Sequence, residues 1–307
     1  MENARVLADG LRFPEGPVAM DDGSVIVTEL IGKRVTRVAP DGTKSVVAET
    51  GGSPNGLAIG PDGALYCTNS GGFAWTEQGP FLIPVGDKGQ STPDDYIGGR
   101  IQKIDISSGK VEDLYTECDG RPLRGPNDIV FDSTGGFWFT DLGKSRERDL
   151  DKGGLYYAQP DGSSIREVIF PLVTPNGVGL SPDESVVYVA ETETGRLWAV
   201  DLSGPGEPAG PQRIVCGVGG HQFFDSLGVD AEGNVCVATI INGGITIISP
   251  DGSFSHVAPP AEMWDPLVTN ICWGGPDMKT AYITTSATQK LIACDWPVAG
   301  KRLAFNA

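Results

Sequence analysis

One strand–turn–strand pattern recurs six times along this chain of 307 residues. Each copy has a polar residue, a short apolar run, a tight turn built on Asp or Gly, and a second apolar run that ends at Thr or Ala. The copies are FPEGPVAMDDGSVIVTE from Phe13, SPNGLAIGPDGALYCTN from Ser53, GPNDIVFDSTGGFWFTD from Gly125, TPNGVGLSPDESVVYVAE from Thr174, FDSLGVDAEGNVCVAT from Phe224 and VTNICWGGPDMKTAYITT from Val268. Self-similarity of this kind indicates a repeat architecture.

A second pair of strand-like runs follows the copies, as in GRIQKIDISSGKVEDLY from Gly99. The 43 Gly and 23 Pro residues divide the chain into short runs, and no run sustains a helical apolar period. Four strands in each of six units predict an all-β chain folded as a six-bladed β-propeller. The last unit has three clear strands, and we expect the N-terminal run Ala4–Ala8 to complete it. Residues 1–307 should then form one domain.

Composition narrows the choice of partners. The 23 Lys and Arg against 40 Asp and Glu give a net charge of −17, which disfavours nucleic acid and anionic membrane surfaces. No signal peptide and no apolar run of membrane-spanning length is recognisable. The six cysteines include no C-x-x-C pair, which predicts free thiols in a cytoplasmic protein. A small molecule is therefore the expected partner, and the oligomeric state stays open.

The polar residue of each copy carries a carboxylate or a carboxamide. We call these six residues the anchor ring: Glu15, Asn55, Asn127, Asn176, Asp225 and Asn270. The first strand of a propeller blade lines the central channel, so equivalent positions should face one another around the axis. Confined carboxylates need a positive partner. Oxygen ligands without His or Cys favour Ca²⁺, with Zn²⁺, Mn²⁺ and Mg²⁺ as alternatives.

Turn chemistry is the competing explanation for these positions. An Asn-Gly pair often forms a turn, and this would account for Asn55 and Asn176. It leaves the other four residues of the anchor ring unexplained. We therefore favour the metal site.

Four segments around the anchor ring form a specific combination of motifs. They are FPEGP at Glu15, GPNDIVFDSTGGFWFTD at Asn127, TPNGVGLSPD at Asn176 and DSLGVD at Asp225. This combination resembles the senescence-marker-protein/gluconolactonase/luciferin-regenerating-enzyme family, over a stretch from Phe13 to about Asp295. The resemblance implies a six-bladed propeller with a divalent ion in its channel. It further implies that Glu15, Asn176 and Asp225 bind the metal, and that Asn127 binds the metal or contacts water and substrate.

The activities of this family, which include hydrolysis of sugar lactones, other lactones and organophosphates, suggest a reaction. Our hypothesis is metal-assisted opening of a lactone ring, in which the ion polarises the carbonyl group. Asp225 would be the catalytic base or nucleophile, and Asn127 would hold the substrate oxygen. A phosphotriesterase-like hydrolase is one alternative. A non-catalytic propeller with a structural metal is another, because a fold does not decide a function.

Two features bear on the substrate. Sugar lactonases of the family often have an Arg two residues before the position of Asn127, whereas this chain has Gly125 there and Arg124 one residue further away. The interval from Asn55 to Asn127 is also about 27 residues longer than its neighbours, and the surplus falls at Phe73–Gly99. We predict that this insertion is a lid over the channel, with a plain surface excursion as the alternative.

The remaining candidates for substrate binding come from the ring, the insertion and one loop. The only histidine near the ring in sequence lies four residues before Asp225. The predicted substrate-binding residues are Asn55, Asn270, Arg124, His221, Phe73 and Trp75.

Overall fold

The computed structural model describes residues 1–305, and these form the predicted six-bladed β-propeller. An N-terminal strand precedes the first blade: β1 (Glu2–Ala8). Blade 1 contains β2 (Pro14–Ala19), β3 (Val25–Glu29), β4 (Arg34–Val38) and β5 (Lys44–Glu49). Blade 2 and its insertion contain β6 (Pro54–Ile59), β7 (Leu65–Asn69), β8 (Thr76–Gln78), β9 (Phe81–Ile83), β10 (Arg100–Ile104) and β11 (Val111–Tyr115).

A short hairpin leads to the second half: β12 (Glu117–Cys118) and β13 (Arg121–Pro122). Blade 3 contains β14 (Pro126–Phe131), β15 (Phe137–Asp141), β16 (Gly153–Ala158) and β17 (Ile165–Leu172). Blade 4 contains β18 (Pro175–Leu180), β19 (Val186–Glu191), β20 (Arg196–Gly204), β21 (Glu207–Pro208) and β22 (Arg213–Gly217). Blade 5 contains β23 (Phe223–Val229), β24 (Val235–Ile240), β25 (Gly244–Ile248) and β26 (Phe254–Val257). A 3₁₀ turn (Ala261–Met263) precedes blade 6, with β27 (Val268–Gly274), β28 (Thr280–Thr285) and β29 (Lys290–Asp295).

Asp-Gly turns join the strands, as the sequence predicts. In the two turns that begin at Pro40 and Pro61, the side chains of Asp41 and Asp62 accept hydrogen bonds from backbone N–H groups two residues later, at 2.9 and 3.1 Å. The glycine after each aspartate has a φ of 84° or 76°, which only glycine adopts without strain. Local turn chemistry therefore sets the hairpin geometry.

The N-terminal strand closes the propeller. β1 pairs antiparallel with β29, so the last sheet has the order β1–β29–β28–β27. The prediction of closure is confirmed, and the strand begins two residues earlier than Ala4. Blade 4 departs from the four-strand pattern, because both β21 and β22 pair with β20.

The core lies between the faces of neighbouring blades. Trp138 and Leu155 of blade 3 pack with Val187 and Val189 of blade 4, and all four are at most 1% exposed.

The six cysteines are unpaired, as predicted. Within residues 1–305, no helix has the length and apolar character that a membrane crossing requires.

The C-terminal tail, which we define as residues 299–305, crosses the end of the channel. Its backbone bonds to Val229 and Met278, at 2.9 Å each, and Phe305 packs edge-on against Phe131. Leu303 and Phe305 line a cavity of about 100 Å³ together with residues of all six inner strands. The tail therefore lies across the channel at the far end of the inner strands from the anchor ring.

Candidate functional site

Each inner strand changes its pairing register at the anchor ring. The shifts lie between Glu15 and Val18, Pro54 and Leu57, Pro126 and Ile129, Pro175 and Val178, Phe224 and Leu227, and Val268 and Asn270. A β-bulge re-aims side chains and lets two consecutive residues face the same side of a sheet. The ring therefore has room for the anchor residue and, at some blades, for the residue after it.

Glycine follows the anchor residue in three blades because the inner strands approach one another closely. A Cβ atom at Gly16 would lie 2.4 Å from the carbonyl oxygen of Asn55, and one at Gly56 would lie 2.8 Å from that of Asn127. Asn55 and Asn176 both lie inside strands. The Asn-Gly pairs therefore serve close packing of the ring and not a turn.

Hydroxyl groups on neighbouring blades hold the ring in register. Thr28 of β3 donates to the carbonyl oxygen of Asn55 at 2.7 Å, and Thr68 and Thr140 bond in the same way to the carbonyl oxygens of Asn127 and Asn176. These bonds explain why the second run of the repeat carries a threonine near its end. In blades 1 to 3, the hydroxyl group of this threonine holds the backbone of the anchor residue of the next blade.

The six anchor residues occupy equivalent positions near the start of the six inner strands. Asp225 is partly exposed, and the other five are buried. The amide of Asn270 donates to the carboxylate of Glu15 at 2.9 Å, and Ser226 donates to the side-chain oxygen of Asn176 at 3.3 Å. The side-chain oxygens of Asn55 and Asn127 are buried and have no hydrogen-bond partner among residues 1–305.

Asp128 is a site residue that the sequence analysis did not assign. It follows Asn127 in the bulge of β14, is buried, and lines the channel. Its two carboxylate oxygens accept N–H bonds from Ile129 at 3.0 Å and Val178 at 3.2 Å. The available signal was its place in the repeat, since glycine stands there in blades 1, 2 and 4.

Three carboxyl groups of this channel have raised pKa values, and burial is the largest cause for each of them. Burial raises the pKa of Glu15 to about 6, although bonds from Asn270 and Gly16 oppose the shift. Burial and the charge of Glu15 raise the pKa of Asp128 to about 8. Burial, Glu15 and Asp128 raise the pKa of Asp225 well above its ordinary value. No basic side chain within residues 1–305 pairs with any of the three.

This donor set fits a hard cation. Two amide oxygens of the ring are buried without a partner within residues 1–305, and the ring also contains the carboxyl groups of Glu15 and Asp225. Buried polar atoms of native proteins normally have partners. No three His, Cys, Asp or Glu side chains of the described chain are gathered closely enough to hold a metal by themselves. A cation here would therefore depend on the amide oxygens as well as the carboxylates.

The insertion covers part of the ring end of the propeller. Its hairpin β8–β9 bonds to blade 6 from Leu82 to Ala287, at 3.4 Å, and its return segment bonds to blade 3 from Ser91 to Ser145, at 3.1 Å. Phe73 and Trp75 are half-buried, and the ring of Trp75 lies 4.9 Å from that of Phe13, two residues before Glu15. That the insertion acts as a lid stays a prediction.

Arg124 and His221 lie outside the buried ring. Both side chains are exposed. The backbone N–H of Arg124 is fixed by the carboxylate of Asp141 at 2.7 Å, and the ring of His221 packs edge-on against Phe223. Their roles in substrate binding stay predictions.

With this geometry in place, comparison with known proteins decides the family. A family model described as the SMP-30/gluconolactonase/LRE-like region matches residues 13–287. The chain belongs to this family. The matched range contains the whole anchor ring and the insertion.

Relatives within the SMP-30/gluconolactonase/LRE-like family include lactonases. Lactonase drp35 of Staphylococcus haemolyticus (strain JCSC1435) is 31% identical over 253 residues, which are 81% of this chain and 69% of that protein. The gluconolactonase of Zymomonas mobilis is 24% identical over 278 residues, which are 80% of this chain and 69% of that protein. For drp35 of Staphylococcus saprophyticus and Staphylococcus epidermidis, the match spans 50% and 64% of the relative.

Solved structures share the fold. A gluconolactonase from Xanthomonas campestris superposes with a TM-score of 0.74 at 22% identity, covering 96% of this chain and 89% of that one. Regucalcin of Agrobacterium tumefaciens, described as a calcium-binding protein, superposes with a TM-score of 0.75 at 18% identity, covering 98% and 96%. At these identities the likeness establishes the propeller fold alone.

Proposed function

We propose that this chain is a lactonase that depends on a divalent cation, with Ca²⁺ as the cation. The observation that carries the proposal is the pair of amide oxygens, of Asn55 and Asn127, that are buried in the anchor ring without a hydrogen-bond partner in residues 1–305. Membership of a family whose relatives include lactonases and a gluconolactonase supports the reaction type. Regucalcin, a calcium-binding protein of the same fold, supports the choice of metal.

The residues that would hold the cation are Glu15, Asn127, Asn176 and Asp225. When bound, a divalent cation polarises the lactone carbonyl and offsets the charge that develops on its oxygen. Asp225 is the general base, because it is the anchor residue that is partly exposed. It takes a proton from the water that attacks the carbonyl carbon. The same proton passes to the ring oxygen as the C–O bond breaks, which gives a hydroxy acid.

Side chains around the ring orient the substrate. Within the part of the chain that the structure describes, the Asn127 amide N–H groups make no hydrogen bond and can donate to a substrate oxygen, while Asn270 is held by its bond to Glu15. We propose that Asn55, Asn270, Arg124, His221, Phe73 and Trp75 contact the substrate. The insertion would then exclude water from one side of the site.

A panel of lactones tests the function. Hydrolysis is followed by pH-stat, first with added Ca²⁺ and then with excess chelator. We expect turnover that needs the metal. Asp225→Ala should reduce kcat by at least about 10²-fold, the usual contribution of a general base, and Glu15→Ala should abolish Ca²⁺ binding in calorimetry. Glu232→Gln, an exposed carboxylate in a turn of blade 5, is the control and should leave both unchanged.

The outcomes separate the alternatives. If both site variants keep wild-type turnover, the site assignment is wrong. If no lactone is hydrolysed although Ca²⁺ binds, phosphotriesters are the next substrates to try. Failure with phosphotriesters as well would indicate that the ion has a structural role only.

We also propose a cytoplasmic location, which the unpaired cysteines support.

A further inference from the structure

Two exposed apolar side chains, Ile241 and Trp264, and the half-buried Phe81 lie at the ring end of the propeller. We call Phe81, Ile241 and Trp264 the mouth patch. The rings of Phe81 and Trp264 pack edge-on with centres 6.3 Å apart. Trp264 is 42% exposed and Ile241 is 40% exposed. The indole N–H of Trp264 donates to the carbonyl oxygen of Asn242 at 3.4 Å, which places it beside the Ile241 segment.

Topology places the mouth patch at the same end as the anchor ring. The anchor residues lie near the start of each inner strand, and the second strand returns the chain to that end. Phe81 and Ile241 belong to connections between second and third strands, in blades 2 and 5. Trp264 belongs to the connection that enters the inner strand of blade 6. All three connections therefore open onto the ring end.

An apolar wall continues from the mouth patch down to the ring. Phe81 shares a cluster with Trp75, Phe13 and Leu267. Within this cluster the ring of Trp75 lies 4.9 Å from Phe13, which is two residues from Glu15. An apolar cluster thus connects the mouth patch to Phe13, which lies two residues before Glu15 in the chain.

Ile241 adopts a backbone conformation that a β-branched residue rarely adopts. Its φ is +73°, in the left-handed region. Its N–H donates to the carbonyl oxygen of Pro266 at 2.6 Å, which holds this conformation. Glycine or asparagine would fit with less strain, and the isoleucine is exposed, so core packing does not explain it. Strain of this kind is concentrated at functional sites.

We infer that the mouth patch binds an alkyl or aryl substituent of the lactone. The inference rests on the proposed function and specifies its substrate class: lactones that carry an apolar side group, in preference to hydroxylated sugar lactones. The lactone ring lies at the anchor ring, and the side group lies along the wall of Trp75 and Phe81 toward Ile241 and Trp264.

The test is a series of γ-lactones whose side chain grows from none to eight carbons, measured by pH-stat with saturating Ca²⁺. For the wild type, kcat/KM should rise roughly two- to fourfold per added methylene, since each buried methylene contributes about that factor. Trp264→Ala and Phe81→Ala should flatten this rise. They should leave kcat/KM for the unsubstituted ring within about twofold of the wild type.

The variant Ile241→Gly tests whether Ile241 binds the lactone substituent or only supports the fold. Relief of the left-handed strain should raise Tm, while the dependence on chain length should fall. A purely structural residue would not give opposite changes. Phe254→Ala is the matched control, because Phe254 is 52% exposed on the outer strand of the same blade. Phe254→Ala should change neither Tm nor the dependence of kcat/KM on the length of the lactone side chain.

Two results would overturn the inference. Hydrolysis of the unsubstituted ring with no gain from the side chain would overturn it and leave the lactonase function standing. Absence of hydrolysis across the whole series would overturn both.

Discussion

Asp128 stands where blades 1, 2 and 4 carry glycine, and the difference changes the electrostatics of the channel. It adds a third carboxyl group to Glu15 and Asp225. The three groups have raised pKa values because the channel desolvates them and, within residues 1–305, no basic side chain pairs with them. A single residue therefore adds a carboxyl group to the channel that becomes negative only above about pH 8.

The raised pKa of Asp128 predicts how stability depends on pH. The folded chain keeps this proton up to about pH 8, whereas an unfolded aspartate loses it near pH 4. Between these values the folded state binds more protons, so the free energy of unfolding falls as the pH rises. Even two pKa units correspond to about 3 kcal/mol, or roughly 5 °C in Tm at this chain length.

Calorimetry in the presence of chelator measures this effect. We expect Tm to fall between pH 5 and pH 8, and Asp128→Asn to remove at least part of the fall. Added Ca²⁺ should raise Tm most at pH 8, where the carboxylates are most ionised. A Tm that falls equally in Asp128→Asn would assign the pH dependence to other groups.

At the scale of elements, the second strands of blades 1 to 4 end in the same hydrogen-bonded contact. The last side chains of β3, β7, β15 and β19 accept N–H bonds from the loop that enters the inner strand of the same blade. The acceptors are Glu29, Asn69, Asp141 and Glu191, and the donors are Arg12, Ser53, Arg124 and Val173. Each loop is thus fixed two or three residues before the anchor residue.

This contact is one of the features that the sequence did not predict. The strands, the turns and the anchor ring could be predicted because each repeats locally, with a fixed offset from Thr or Asp-Gly. The loop contact of Asp141 spans 17 residues and the bulge at Asn127 depends on how closely the inner strands approach. Asp128 was therefore visible in the repeat, but its burial was not.

Lys144 fixes the start of the insertion to blade 3. Its amino group donates to the carbonyl oxygen of Gly72 at 2.6 Å and lies 3.9 Å from the ring centre of Phe73. Burial lowers the pKa of Lys144 to about 7, while the charges of Asp141 and Asp151 oppose this shift. Because the amino group is buried, solvent would not compensate for the loss of these two contacts.

Lys144→Met keeps the length of the side chain and removes both contacts. We expect amide hydrogen exchange in residues 73–99 to become about tenfold faster, which corresponds to about 1.4 kcal/mol of local stability. Exchange in the inner strands should stay unchanged. Lys88→Met is the control, since this lysine lies in the same insertion with a side chain that is 70% exposed. Equal exchange in wild type and Lys144→Met would show that the insertion is held elsewhere.

At the scale of the whole molecule, closure depends on the first strand. β1 covers the edge of β29, and Leu7 and Ala8 pack into the core between blades 6 and 1. The sequence was sufficient to predict this pairing, because blade 6 lacks a fourth strand. It was not sufficient to predict the C-terminal tail across the channel, which has no repeat partner.

Deleting residues 1–10 should therefore destabilise the propeller. Burial of one aliphatic side chain contributes about 1.5–3 kcal/mol, so with the lost pairing we expect Tm to fall by about 5 °C or more. The exposed edge of β29 should also cause association at high concentration. Val6→Ser, at a 40% exposed position of the same strand, should leave Tm nearly unchanged. Scanning calorimetry and size-exclusion chromatography measure both effects, and a deleted chain as stable as the wild type would refute the closure role of β1.

The tail at the far end has a consequence for the direction of exchange with solvent. With residues 299–305 across the channel, a molecule at the anchor ring arrives and departs by the same opening. A neutral lactone entering there meets no electrostatic barrier, but the hydroxy acid that leaves is an anion. The chain carries a net charge of −17, and this field repels an anion that tries to return. Charge thus leaves the entry of a neutral substrate unaffected and disfavours the return of the anionic product through the same opening.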